Sequence, residues 1–298
     1  MNLRESLIDP KSPDRRPRRA AYALPTLFTA GNVYLGFYTL VKVFEGCMAM
    51  VTAPATAYLH FQAAALAIGV SFVLDGLDGR IARMTNTVSE FGREMDSLAD
   101  VITFGIAPAA LAFTWGVQFV DPNVGPSVDP RVLQHLRQAG YFFAFLFLVC
   151  GAMRLARFNI QKNPIPKNPG RSDRKYFVGL PIPAGAALVA AIVYASDSAP
   201  LTDWRRSVAW LALLAALSFL MVCTWRYPSF KDVHLTRARS PVTFVLFAVV
   251  IYLIWNYSQP TIFAVTVAYV LSGIAIRVGG IVRRRWKPQP PRPEPLPR

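Results

Sequence analysis

Charge is scarce in this chain. Of its 298 residues 16% are charged and 53% are apolar, where an ordinary globular protein carries about 25% charged residues. The mean hydropathy is +0.33. Such a composition excludes an ordinary soluble domain, and it excludes intrinsic disorder, which persists only at low hydrophobicity. Cysteine is equally sparse: Cys47, Cys150 and Cys223 stand far apart, each in or beside an apolar run. They form neither a CxxC pair nor a disulfide framework, and they read as small buried hydrophobes. The three histidines, His60, His135 and His234, share no helical spacing. No spacing among them suggests a metal site, and packing at span ends is their expected role.

Long apolar runs are what the chain has in plenty. Windows of about 19 residues place spans near 24–44, 55–74, 97–117, 140–155, 177–194, 208–224, 241–255 and 261–276. The predicted fold is therefore all-α, a polytopic integral membrane protein of about eight transmembrane helices, each needing roughly 20 apolar residues. Residues 1–23 read as a basic arm, 24–282 as the membrane domain and 283–298 as a tail rich in proline and arginine. A cleaved signal peptide is a poor match for the N-terminus, because the first apolar run is about twice the usual core of 7 to 15 residues.

Lys and Arg number 32 against 17 Asp and Glu, a formal net charge of +15. In a soluble chain that excess points to nucleic acid. Here it has a different explanation. Alternation through eight spans from a cytoplasmic N-terminus puts 27 of the basic residues inside and only Arg131, Arg137, Arg205 and Arg206 outside, with Lys42 inside the first span. That asymmetry is the positive-inside pattern, so both termini are expected in the cytoplasm. It predicts no nucleic-acid partner and an attraction to anionic membrane lipid.

The acids are the informative minority. Asp75, Asp78, Glu90, Glu94, Asp96 and Asp100 fall within 26 residues, where even spreading of 17 acids over the chain would place between one and two. Four of these aspartates stand at the ends of apolar spans, in LDGLDG and MDSLAD. Ionisable groups at that depth cost about 2.5 to 3.5 kcal/mol each on insertion scales and need a partner or a function. On a helix, Asp75, Asp78, Gly79 and Ala82 fall within a sector about 100° wide. Gly92, Asp96 and Asp100 repeat at i, i+4 and i+8 on the next helix. If the two helices are antiparallel neighbours, four carboxylates converge at the cytoplasmic membrane face. Hard oxygen ligands of that kind suit Mg²⁺, Mn²⁺ or Ca²⁺. The small residues leave room for a ligand to approach the backbone, and Arg83 can set a guanidinium on a phosphate oxygen. Metal, room and a cation describe a diphosphate site. Helix packing through small residues is the alternative reading of Gly79 and Ala82 alone. An EF-hand is excluded, since its loop spacing is missing.

The stretch from Asp75 to Asp100 reads D-x2-D-G-x2-A-R-x8-G-x3-D-x3-D, and this resembles the full signature of the CDP-alcohol phosphatidyltransferase family. LPTLFTAGNVYLGF at 24–37, SLADVITFGIAPA at 97–109, CGAMRLARFNI at 150–160 and YFVGLPIPAGA at 176–186 are similar to the branch of that family that uses serine. The resemblance implies a helical enzyme of the inner membrane of a prokaryote, with its site facing the cytoplasm. It implies two divalent cations, Mg²⁺ or Mn²⁺, on Asp75, Asp78, Asp96 and Asp100, with Asp100 also serving as base. It implies contacts from Gly79, Ala82, Arg83, Ser89, Gly92 and Thr29 to CDP-diacylglycerol, transfer of the phosphatidyl group to L-serine with release of CMP, and a homodimer.

Serine carries a carboxylate and an ammonium, so its pocket needs a cation and a hydrogen-bond acceptor. Arg154 and Arg157, at i, i+3, fit the first requirement, and Asn159 or Asn32 the second. Snorkelling at a helix end accounts for the two arginines equally well. The same signature also serves glycerol 3-phosphate, inositol phosphate or choline as acceptors. A metal-ion transporter is a further reading, but it calls for acids spread through the membrane depth, whereas these lie on one side. Pro181 and Pro183 are expected to interrupt a helix and shape an apolar groove for the lipid.

Overall fold

The computed structural model describes residues 19–85, 90–124, 128–162, 176–228 and 241–286. Helix α1 (Arg19–Thr52) and α2 (Pro54–Thr85) are joined through Ala53 alone. Proline has no N–H to continue a ladder and fits the first turn of a new helix, so α1 ends where α2 begins. The third span starts as α3 (Glu90–Asp100), passes through a π-helical stretch (Val101–Ile106), continues as α4 (Ala107–Phe113) and ends in a second π-helical stretch (Thr114–Gln118). Pro108 explains the first of these: it offers no N–H to the carbonyl of Phe104, and the widened turn absorbs the missing bond.

Helix α5 (Pro130–Lys162) starts on Asp129, whose Oδ1 accepts the Arg131 backbone N–H at 2.8 Å. A short strand β1 (Tyr176–Val178) leads to α6 (Ile182–Ala195), and α7 (Trp204–Val222) is capped by Asp203, whose Oδ1 accepts the N–H of Arg205 at 3.0 Å. Strand β2 (Arg226–Pro228) pairs antiparallel with β1, Phe177 opposite Tyr227. Helices α8 (Pro241–Asn256) and α9 (Ser258–Trp286) complete the described chain. Apart from this ribbon the regular structure among the described residues is all helical.

Six helical segments among the described residues are long and apolar enough to cross a membrane: 26–52, 54–77, 91–118, 130–160, 204–222 and 258–279. Large apolar side chains face outward along them, as with Leu27, Phe37, Phe44, Phe145 and Phe219. An exposed apolar surface of this extent belongs in a bilayer, and the molecule is a polytopic membrane protein. Helices α6 and α8 are shorter and occupy the positions of the fifth and seventh expected spans. Helix α6 lies among α2, α5, α7, α9 and the third span. Ile182, Ala184, Ala186, Leu188, Val189, Ala190 and Val193 are all buried on it, as in a helix that is apolar all round and enclosed by protein.

The expected fifth span from Phe177 is corrected at its start. Residues 176–178 are extended, Gly179 takes φ +78°, and the helix begins only at Ile182. A Cβ at Gly179 would stand 2.5 Å from the carbonyl oxygen of Met221, so this turn requires glycine. Pro181 and Pro183 thus start α6 and do not interrupt a helix. Several other helices run past their apolar windows, because carboxylates and arginines at one end continue the helical turns. The expected tail is helical in its first residues, through Trp286. Residues 1–18 of the arm and 287–298 of the tail lie outside the described residues.

Candidate active site

Helix α2 presents Asp75 and α3 presents Asp96 and Asp100 at the same end of the bundle. One carboxylate oxygen from each lies within 4.8 Å of the other two. The i, i+4 spacing on α3 puts both of its aspartates on one face, as the sequence predicts. Asp100 is only 8% exposed, and its Oδ1 has no hydrogen-bond partner among the described residues. Three carboxylates so close, one of them buried, repel one another unless a cation compensates them. Their oxygens are the donors a hard divalent ion takes, so the cluster fits such an ion on its chemistry and on the open Asp100 oxygen. Asp78, Gly79, Ala82 and Arg83 continue α2 in helical conformation, but their side chains lie outside the described residues, as does Ser89 entirely.

Helix α1 supplies the second wall. Thr29 and Asn32 are buried on it, and α1 packs against α3 and the π-helical stretch that follows. The Thr103 hydroxyl donates to the carbonyl of Asn32 at 2.9 Å. A Cβ on Gly36 would stand 2.6 Å from Thr103 Oγ1 and 3.0 Å from its Cα, so glycine lets the two backbones meet there. The Asn32 Oδ1 is buried and has no hydrogen-bond partner among the described residues. It is a buried acceptor on the helix that packs against α3.

The third wall is the end of α5. Arg154 is 7% exposed, lies 5.2 Å from the Phe158 ring and interacts electrostatically with Asp100. Arg157 takes another direction. It donates to the carbonyls of Val222 at 3.0 Å, Val178 at 3.4 Å and Met221 at 3.5 Å, which ties α5 to the end of α7 and to β1. Asn159 Nδ2 donates to Ser97 Oγ at 2.7 Å, and Ser97 in turn donates to the carbonyl of Arg93 at 2.9 Å. The structure therefore brings Arg154 to the carboxylates, while Arg157 and Asn159 are occupied in joining elements.

Sequence reasoning missed Ser97 and Thr103, single hydroxyls next to louder neighbours. It also missed Tyr269 on α9, which is within electrostatic reach of Arg154. No signal marked it beyond a hydroxyl in an apolar run.

The fold and site define a helical membrane protein with an acid cluster at one end of its spans. The profile of the CDP-alcohol phosphatidyltransferase family matches residues 22–222. A CDP-diacylglycerol–serine O-phosphatidyltransferase of Helicobacter pylori is 38% identical over 217 residues, 73% of this chain and 76% of that protein. One of the same name from Bacillus subtilis is 30% identical over 210 residues, 70% of this chain and 91% of its own length. An archaetidylserine synthase of Methanothermobacter thermautotrophicus is 29% identical over 210 residues, 69% of this chain and 70% of that protein. The chain belongs to the CDP-alcohol phosphatidyltransferase family, whose members depend in general on divalent metal.

Proposed function

We propose that the chain transfers the phosphatidyl group of CDP-diacylglycerol to the hydroxyl of L-serine, giving phosphatidylserine and CMP. The observation that carries this reading is the Asp75, Asp96 and Asp100 cluster with Arg154 beside it, in a chain whose relatives are named for serine. The bacterial relatives and the archaeal one differ in the lipid their names specify but share serine. The acceptor is thus the feature common to those names.

Asp75, Asp78, Asp96 and Asp100 would hold two divalent cations, Mg²⁺ or Mn²⁺. Bound there, the metal supplies charge compensation for a diphosphate and acidifies a nearby alcohol. Asp100 accepts the serine hydroxyl proton on its open oxygen. The serine oxygen forms a bond to the lipid-side phosphorus as the bond from that phosphorus to the CMP oxygen breaks. Arg154 binds the serine carboxylate as a charge-assisted pair, and Asn32 Oδ1 accepts from the ammonium. Gly79, Ala82, Arg83, Ser89, Gly92 and Thr29 would contact the CDP moiety. For this class of transfer, positioning and charge stabilisation do most of the catalysis.

The basic asymmetry of the loops supports an orientation with the site and both termini in the cytoplasm, in the inner membrane of a prokaryote. On the same reading α6 and α8 complete eight spans, anionic lipid binds the basic ends, and the enzyme works as a homodimer.

The test supplies purified protein with CDP-diacylglycerol and a panel of labelled alcohols, with and without chelator. Serine entering lipid with matched CMP release, abolished by chelator, is the expected result. Incorporation of glycerol 3-phosphate or choline in place of serine would reassign the acceptor.

A further inference from the structure

The family match ends at residue 222, yet one side chain from beyond it reaches the site. Helix α9 packs along α6 and against β2. Tyr269, near the middle of α9, is half-buried and within electrostatic reach of Arg154. Tyr227 of β2 holds it there: this ring is fully buried and its centroid lies 6.0 Å from that of Tyr269. One turn along α9, Gly273 makes the space for Tyr227, since a Cβ at that position would overlap the ring. The ribbon, the glycine and the tyrosine thus form one packed unit, and its tyrosine lies within electrostatic reach of Arg154. Phe158 covers another side of the same guanidinium.

A buried arginine that must meet a small carboxylate gains from having its plane fixed beforehand, because the ordering is then not paid for at binding. We propose that Tyr269 is a positioning residue of the acceptor pocket. It holds the Arg154 guanidinium in the orientation that receives the carboxylate of an amino-acid alcohol, so the last span sets acceptor selectivity in a site whose phosphotransfer groups lie within residues 22–222. This inference rests on the assignment of Arg154 to the serine carboxylate, and the two are separable by experiment.

The variants are Tyr269→Phe, which keeps the ring, Arg154→Lys, which keeps the charge, and Val265→Leu as a control on the exposed face of the same helix. Each is purified and assayed with serine and CDP-diacylglycerol varied in turn. For Tyr269→Phe the expected result is a serine KM raised about 5-fold or more, with kcat and the KM for CDP-diacylglycerol within about 2-fold of the parent, the signature of lost acceptor binding. The preference for serine over ethanolamine, which lacks the carboxylate, falls in the same variant. Gly273→Val, which displaces Tyr227, moves the serine KM in the same direction. An unchanged serine KM in Tyr269→Phe beside a raised one in Arg154→Lys overturns the role of Tyr269 and leaves Arg154 in the pocket. Unchanged values in both overturn the Arg154 assignment as well. Equal losses for both substrates with a lowered Tm show a purely structural tyrosine and also overturn the proposal.

Discussion

Asp100 is the side chain on which burial and chemistry meet. Its carboxylate is nearly sealed from water, beside two further acids and one buried arginine. A carboxylate placed so is costly to the fold and useful to a reaction that must remove a proton near a charged phosphate. Asp100→Asn keeps the volume and removes the charge. Turnover is expected to fall by at least about 100-fold, the scale of a lost general base, with the protein still inserted and its Tm equal to or above that of the parent. A CMP-release assay beside a thermal melt checks both. Arg154 and Arg157 show how far sequence spacing carries at this scale. Both were legible as cations at one end of one helix, but only the fold separates the arginine facing the acids from the one bonded to three carbonyls. Arg157→Ala is accordingly expected to lower stability by about 1 to 3 kcal/mol through lost charge-assisted hydrogen bonds, with the serine KM of the surviving enzyme unchanged. Equilibrium unfolding in detergent and a serine titration measure the two effects.

At the scale of elements, the third span is where the site is aimed. Pro108 forces a π-helical stretch directly after Asp100, and Thr103 within it donates to the backbone of α1. Gly36 is the matching concession on α1. Gly36→Val is expected to part these helices, break the Thr103 bond to Asn32 and reduce kcat with both KM values raised, since all three walls then shift. The measurement is steady-state kinetics with a melt as control. Periodicity made the helices legible, because two apolar faces and four acids at helical spacing survive any choice of tertiary arrangement. The widened turn was not legible: a proline in an apolar run signals a break, but not whether the chain bends, stops or changes helical register. The ribbon was hidden for a related reason. Phe177 and Val178 read as the first residues of a span and Tyr227 as an apolar residue just after one, and only their pairing across more than forty intervening residues makes them strands. The start of α6 was misplaced because apolarity alone does not report the positive φ of Gly179.

For the whole molecule, the organising fact is that acids gather at one end of the bundle while apolar surface surrounds its flanks. Ligand linkage follows. A divalent ion that binds the folded acids stabilises the protein by about 2.7 kcal/mol at one hundred times its Kd. Adding Mg²⁺ or Mn²⁺ to chelated protein is therefore expected to raise Tm, and Asp75→Asn combined with Asp96→Asn to abolish the rise. Differential scanning fluorimetry reads this without turnover. For the basic ends the expected effect is longer-ranged. Replacing Arg283, Arg284 and Arg285 by Gln is expected to weaken activation by anionic vesicles, since each basic residue near such a surface is worth about 1 kcal/mol. The difference from the parent closes in high salt, where the Debye length falls to about 3 Å. Vesicle-titrated activity at two ionic strengths checks it.

The single alanine between α1 and α2 has a bearing on how the protein is made. Two long helices with one residue at their tip leave no slack in which the first could settle before the second arrives. The two helices pack along each other and are therefore expected to enter the bilayer as a paired hairpin. A substitution that weakens either helix is then expected to delay the insertion of both.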